Sequence, residues 1–286
     1  MKLILTICFY CAFALLFCEE SIAQNNNIEK AKQLWEKVIE AKGGRENLYA
    51  VKNLVVSNKS YSPFEDEKFQ NSKSEELYIL SGKWWSWSDE RPGFTIGINQ
   101  YDFESELGYE VTEDSKKPRI YKTYSSETFP TKNTEEIRKA KLKNDRFFYS
   151  KQIFLERISM FLMETKWFQP QIDGVRTKEI DGKKLEVIVI LFGSVKVEYF
   201  IDPKTYLPKK WRRSVWFEDK KVFDVEDEFF LEDYIEVAGV KFPQIIRRTK
   251  KTETKTKYQV NVKYDENLFN KPPSIEAGAD DWKPKQ

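Results

Sequence analysis

Phe230-Leu231-Glu232-Asp233-Tyr234-Ile235-Glu236-Val237-Ala238-Gly239-Val240-Lys241-Phe242-Pro243 is the stretch whose reading decides the fold. It joins two alternating segments through a short turn. A second signature of the same kind, Ile201-Asp202-Pro203-Lys204-Thr205-Tyr206-Leu207-Pro208, lies upstream. Strand-like segments around both put apolar residues on one face and charges on the other, the pattern of an antiparallel meander with one dry and one wet face. Working outward, alternation predicts strands at about 175–180, 184–192, 195–201, 209–217, 221–234, 240–250 and 256–264. The segment Leu185 to Phe192 is apolar on both faces and reads as a central strand covered on both sides.

Upstream, Glu76–Leu80 and Lys83–Ser88 flank Ser81-Gly82, a hairpin signal. Trp85 and Trp87 share one face of the second of these strands, and Phe94, Ile96 and Ile98 alternate in the next. Leu54-Val55-Val56 reads as the first strand. Before it, Ile28, Ala31, Leu34, Trp35, Val38 and Ile39 recur at helical spacing, and Gly43-Gly44 closes that helix. A short helical turn over 45–50 follows. A helical insert is expected near 133–166, one helix opening at Asn133 and the next at Asn144-Asp145. In the second, Phe147, Phe154, Ile158, Phe161 and Leu162 form a broad apolar stripe, and its charged residues exclude a membrane span. The expected fold class is α+β, a strongly curved antiparallel sheet forming an open half-barrel around helices. Residues 24–276 are expected to be a single domain, with 277–286 a disordered tail.

The chain begins Met1-Lys2, continues through an apolar run from Leu3 to Phe17 and reaches Ser21-Ile22-Ala23, the order of a secretory signal peptide (1–23) cut after Ala23. The run is shorter than the roughly 20 residues that span a bilayer. Cys8, Cys11 and Cys18 are the three cysteines, so the mature chain is expected to carry no thiol. Bulky Phe17, where a small residue is usual, argues against a lipid anchor at Cys18. Export to the periplasm is the expected destination.

Chemistry is narrowed by what the composition lacks. There is no histidine, and no mature cysteine, so Ser/His/Asp and Cys/His nucleophile arrangements cannot be built and zinc loses its usual nitrogen and sulfur ligands. No glycine-rich phosphate loop is present. No catalytic residue, metal site or cofactor is expected. The formal net charge is +2, which offers no electrostatic case for nucleic acid. The basic runs Lys209-Lys210-Trp211-Arg212-Arg213 and Arg247-Arg248-Thr249-Lys250-Lys251 lie near the acidic Asp224-Val225-Glu226-Asp227-Glu228, and cross-strand pairing is the expected use of all three. Asp227 shares a face with Phe223, Val225, Phe229 and Leu231 by alternation. It is either an acid facing a ligand, or, the favoured reading, a carboxylate paired to a neighbouring strand or displaced by a bulge. Trp84, Trp85, Trp87, Trp211 and Trp216 could stack sugars, but filling a core is the better account of most of them.

The glycine pair in Ala41-Lys42-Gly43-Gly44, the close Tyr199-Phe200-Ile201-Asp202-Pro203-Lys204-Thr205 with Leu207-Pro208, the stretch from Phe230 to Pro243 and the ending Leu268-Phe269-Asn270-Lys271-Pro272 together resemble the LolA/LolB-like outer-membrane lipoprotein-sorting carriers. What that resemblance implies is a half-barrel whose apolar hollow takes an acyl chain; no functional residue is carried over from it. The expected function is an exported lipid or lipoprotein acyl-chain carrier without catalysis. Its apolar ligand would line Trp85, Trp87, Phe154, Ile158, Phe161, Val197, Tyr199, Val215, Phe217 and Phe223. The rival is an envelope interaction module, with a protein partner, in which the helix plugs the hollow.

Overall fold

Val237 and Val240 face each other across a two-residue turn in which Ala238 (φ 51°) and Gly239 (φ 76°) both take left-handed backbone. That is the tight hairpin whose twist matches that of its strands. The computed structural model describes residues 24–61, 71–91, 96–105, 107–115, 118–122, 151–168, 170–180, 182–192, 195–217, 222–249 and 251–284. The expected signal peptide, the turn at Arg91-Pro92-Gly93 with Phe94, and the helix openings at Asn133 and Asn144 all include residues outside these ranges.

Three helices and thirteen strands are described. Helix α1 spans 24–41, α2 Gly44–Ala50 and α3 Lys151–Leu162. The strands are β1 Asn53–Tyr61, β2 Asn71–Ile79, β3 Lys83–Asp89, β4 Ile96–Asp102, β5 Leu107–Thr112, β6 Arg119–Lys122, β7 Gln171–Ile180, β8 Lys183–Phe192, β9 Val195–Ile201, β10 Pro208–Phe217, β11 Val222–Val237, β12 Val240–Arg247 and β13 Glu253–Val260. All thirteen pair into one antiparallel sheet of order β6-β5-β4-β3-β2-β1-β13-β12-β11-β10-β9-β8-β7. Two meanders, one before α3 and one after it, are thus stitched by β1 on β13, and β6 and β7 are left as opposite edges. The sheet is curved and unclosed. β5 and β6 had no signal in the sequence reading. β8 is covered on both faces, with Val187 and Ile188 fully buried, but it lies beside the edge strand β7 and is not central.

The two faces differ in what covers them. On the inner face Ala31, Trp35 and Val38 of α1, together with Phe154, Ile158 and Phe161 of α3, share one hydrophobic cluster with Val56, Tyr78, Trp84, Tyr101, Tyr199, Trp211, Leu231 and Phe242 of the sheet. On the outer face a smaller cluster joins Val55, Leu77, Trp85 and Ile98 to Leu268, Phe269 and Trp282 of the C-terminal segment. That segment was expected to be disordered from Ala277. Instead Ile275–Asp280 forms a 3₁₀ turn, and Trp282, 3% exposed, donates its indole N–H to Glu75 at 2.6 Å. Several contacts together hold the stretch down: Trp282 packs with Leu268 and Phe269, and Asp265 donates its backbone N–H to the Trp282 carbonyl at 2.9 Å.

The charged runs pair across strands. Arg212 of β10 meets Glu228 of β11 at 2.6 Å and Glu198 of β9 at 3.4 Å, and Lys210 meets Glu228 at 2.6 Å. Burial pushes the Glu198 carboxyl up, but Lys178 and Arg212 outweigh it and hold the group below its ordinary range.

The elbow between α1 and α2 explains the glycine pair. Gly43 (φ 127°) sits against the β11–β12 hairpin so closely that a Cβ there would lie 1.9 Å from the Gly239 carbonyl oxygen. Lys241 donates its backbone N–H to the Lys42 carbonyl at 2.8 Å. Gly43→Ala should therefore lower stability by about 2–4 kcal/mol in denaturant titration, from strain and collision together. Gly182→Ala, at φ 74° in open space, should cost only the left-handed penalty of about 1–2 kcal/mol. Trp282→Ala should cost about 3–5 kcal/mol, the usual range for an emptied tryptophan site.

Candidate functional site

The elbow at Gly43 aims Lys42 inward. Its side chain is 2% exposed, and its ammonium lies 2.7 Å from the Glu164 carboxylate, itself 0% exposed, just beyond α3. The same ammonium donates to the Phe161 carbonyl at 2.6 Å, an orphan acceptor in the last turn of the helix. The Tyr199 hydroxyl donates to the Ser159 carbonyl at 2.5 Å. Burial, with the nearby Glu164 charge adding to it, pushes the Tyr199 and Tyr234 phenols well above their ordinary range, so both stay neutral donors. α3 is thus bolted to the inner face by an ion pair and two side-chain bonds to its carbonyls.

What remains open on the inner face is a cavity of about 420 Å³ beside α3. Its apolar wall is Tyr78, Met160, Phe161, Trp211, Phe229 and Ile246; its polar rim includes Glu76, Arg157, Arg213 and Asp227. Asp227 is held by Arg213, at 2.6 and 3.0 Å through two guanidinium nitrogens, and by Arg248 at 2.6 Å. The Arg157 guanidinium lies 4.6 Å above the Trp84 ring. This arrangement offers an apolar ligand a dry wall and a mouth of paired charges. Among the described residues no group of three or more Asp, Glu, His or Cys could hold a metal ion.

The expected ligand residues are distributed unevenly. Phe161 lines the cavity. Phe154, Ile158, Val197 and Tyr199 share its cluster but are fully buried core, Tyr199 packing edge-on against Trp35 at 5.6 Å and Phe154 against Phe103 at 5.7 Å. Val215 is partly buried against the same cluster. Phe217 pairs through its backbone with Val222, and its side chain lies outside the described set.

Trp85 and Trp87 belong to the outer face, packed with the C-terminal cluster; it is Trp84, stacked on Tyr101 at 5.3 Å, that faces α3. Both faces of Trp84-Trp85-Ser86-Trp87 are aromatic, so alternation could not say which was inside. Phe223 is also displaced. Arg213 pairs with Asp227 but Ser214 with Val225, a β-bulge at Glu226, and beyond it Phe223 lies opposite Trp216 with the Lys196 ammonium over its ring at 4.8 Å. A one-residue slip exchanges the faces of everything that follows. Asp227 is paired, to Arg213 of the neighbouring strand and to Arg248, as its favoured reading had it, while the bulge lies at Glu226 and leaves Asp227 on the cavity side. Met160, Trp211, Phe229 and Ile246 were missed as a set because they come from four elements.

Removing one partner of the buried pair leaves a naked charge in the core. Lys42→Met alone should cost about 3–5 kcal/mol in urea or guanidinium titration, whereas the double change Lys42→Met with Glu164→Leu should recover most of that loss.

No protein-family profile matches the chain, and no curated protein matches it. Among solved structures, a proposed outer membrane lipoprotein-sorting protein domain from Vibrio parahaemolyticus is similar at 13% identity, over 85% of this chain and 97% of that one, with a TM-score of 0.46. A LolA superfamily protein from Nitrosomonas europaea is similar at 11% identity over 84% and 97%, with a TM-score of 0.45. A DUF1329 family protein from Desulfovibrio piger is similar at 8% identity over 84% and 96%, with a TM-score of 0.46.

Proposed function

We propose that this chain is an exported, periplasmic, non-catalytic binding protein that holds the apolar chain of a lipid or lipoprotein against the wall of Met160, Phe161, Trp211 and Phe229, in a half-barrel wrapped around its helices. The observation that carries this reading is the inner cavity of about 420 Å³, apolar on one side, beside a helix that does not fill the sheet. Burial is worth roughly 0.8 kcal/mol per methylene, so a chain of about 16 carbons could gain on the order of 10 kcal/mol in such a site. Binding of that kind asks nothing of a nucleophile or a metal. Export is motivated by the order of Lys2, the apolar run and Ser21-Ile22-Ala23.

A second reading, a helix-plugged module that meets an envelope protein, is favoured by the bolting of α3 through Lys42 and Tyr199. The two differ in what Met160 does. In the binding reading an apolar fluorophore binds saturably and is displaced by a long-chain lipid, and Met160→Trp, which puts a bulky indole against the apolar wall and narrows the cavity, weakens inner-site binding at least about tenfold with little change in the melting temperature. In the plug reading Met160→Trp changes no binding. Phe154→Asp buries an unpaired carboxylate in either case and should cost several kcal/mol of stability, so it reports on the core and not on the ligand.

A further inference from the structure

Three lysines stand side by side on the outer face. Lys73 of β2 is directly opposite Lys59 of β1, which is directly opposite Lys255 of β13, and Lys257 follows two residues along β13. Like charges opposed across a sheet repel, so a row of this kind is unfavourable unless something negative answers it. The nearby carboxylates have other partners. Glu75 accepts from Trp282 at 2.6 Å and from Ser57 at 2.8 Å. Glu253 holds Arg247 at 2.5 Å and is 3.6 Å from Lys255, and Asp89, directly opposite Lys73 on β3, is bound by Arg91 and answers the row at that end only, leaving Lys59 between two lysines. Lys59 and Lys73 are exposed, with no hydrogen bond or ion pair among the described residues.

Beside this row lies a groove of about 670 Å³ between the sheet and the C-terminal segment, with Trp87, Ile245 and Ala279 among its lining and the lysines at its rim. The Trp87 indole nitrogen is buried and has no acceptor among the described residues. Cations beside an apolar trough are the complement of one class of molecule, an apolar chain ending in a single anionic head.

We propose that this outer groove is a binding site for an anionic amphiphile, its chain against Trp87 and Ile245 and its head group among Lys59, Lys73 and Lys255. The site is on the opposite face from the inner cavity and stands or falls apart from it. The head group could belong to a free fatty acid or to a phospholipid, and the two are separable by experiment.

The test uses the full chain carrying Met160→Trp, which narrows the inner cavity and weakens any binding there, with and without the paired changes Lys59→Gln and Lys73→Gln. Palmitate below its micelle concentration is titrated by displacement of a fluorescent fatty acid. In parallel, sedimentation is measured with vesicles of phosphatidylcholine containing phosphatidylglycerol, against phosphatidylcholine alone. The expected result is binding that survives Met160→Trp and weakens at least about tenfold in the lysine variant, with a melting temperature no lower than before because a repulsive row has been relieved. Palmitate binding identifies the free acid as the source, and binding only to the anionic vesicles identifies the phospholipid. Binding unchanged by the lysine substitutions, equal binding to neutral vesicles, or no binding once Met160→Trp is in place would overturn the proposal. In the last of these cases the inner-cavity reading stands alone. Conversely, if the wild type binds no more palmitate per chain than the Met160→Trp variant does, and that binding needs the lysines, the inner-cavity reading falls and this one remains.

Discussion

A buried ammonium and carboxylate, Lys42 and Glu164, hold the inside of this molecule together. An ion pair taken out of water gains stability only when its geometry is good and its other hydrogen-bonding capacity is used. Lys42 meets that condition through the Phe161 carbonyl, whereas Glu164 does not: one of its oxygens takes the Lys42 ammonium and the other is buried without a hydrogen-bond partner among the described residues. Such a pair is a poor source of net stability and a strong source of specificity. It allows one position for α3 along the sheet, since any slide would strand a charge.

The position of Lys42 depends in turn on a contact between two turns far apart in sequence. Gly43 lacks the side chain that would strike the Gly239 carbonyl, and Asn47 donates to the Gly43 carbonyl at 2.8 Å. The elbow therefore rests on the tip of the β11–β12 hairpin, and the residue before it has no direction to point but inward. A chain from hairpin to elbow to lysine to helix thus sets how much of the inner face is filled. What is left over is the cavity beside Met160 and Phe229.

The outer face is organised by different physics. Over β9 to β11, charges of opposite sign alternate from strand to strand and neutralise one another, as around Arg212. Over β2, β1 and β13 the same kind of surface carries a row of one sign beside a trough. The C-terminal segment closes part of the outer face through Trp282, which places Ala279 at the side of that trough. Covering and charge are thus divided between the two halves of the sheet.

Alternation and turn chemistry by themselves determined the meander, most of its strands, the helix ending at the glycine pair and the cross-strand pairing of the charged runs. These are local properties, each written within a dozen residues. Alternation also grouped Val197 with Tyr199, and helical spacing grouped Phe154 with Ile158 and Phe161, correctly in each case. Only the tertiary structure decided which face was inside. Period-two patterning names two faces but ranks them only when one is polar, and around Trp84, Trp85 and Trp87 neither is. The bulge at Glu226, which sent Phe223 outward, left one mark in the pattern, the acid Asp227 on an otherwise apolar face, but alternation could not say on which side of it the register slips. The ordered tail and the buried ion pair were hidden for the same reason. Trp282 and Glu75 are 207 residues apart and Lys42 and Glu164 are 122 apart, and residues that look like solvent-facing polar positions in sequence become buried partners only when the fold brings them together.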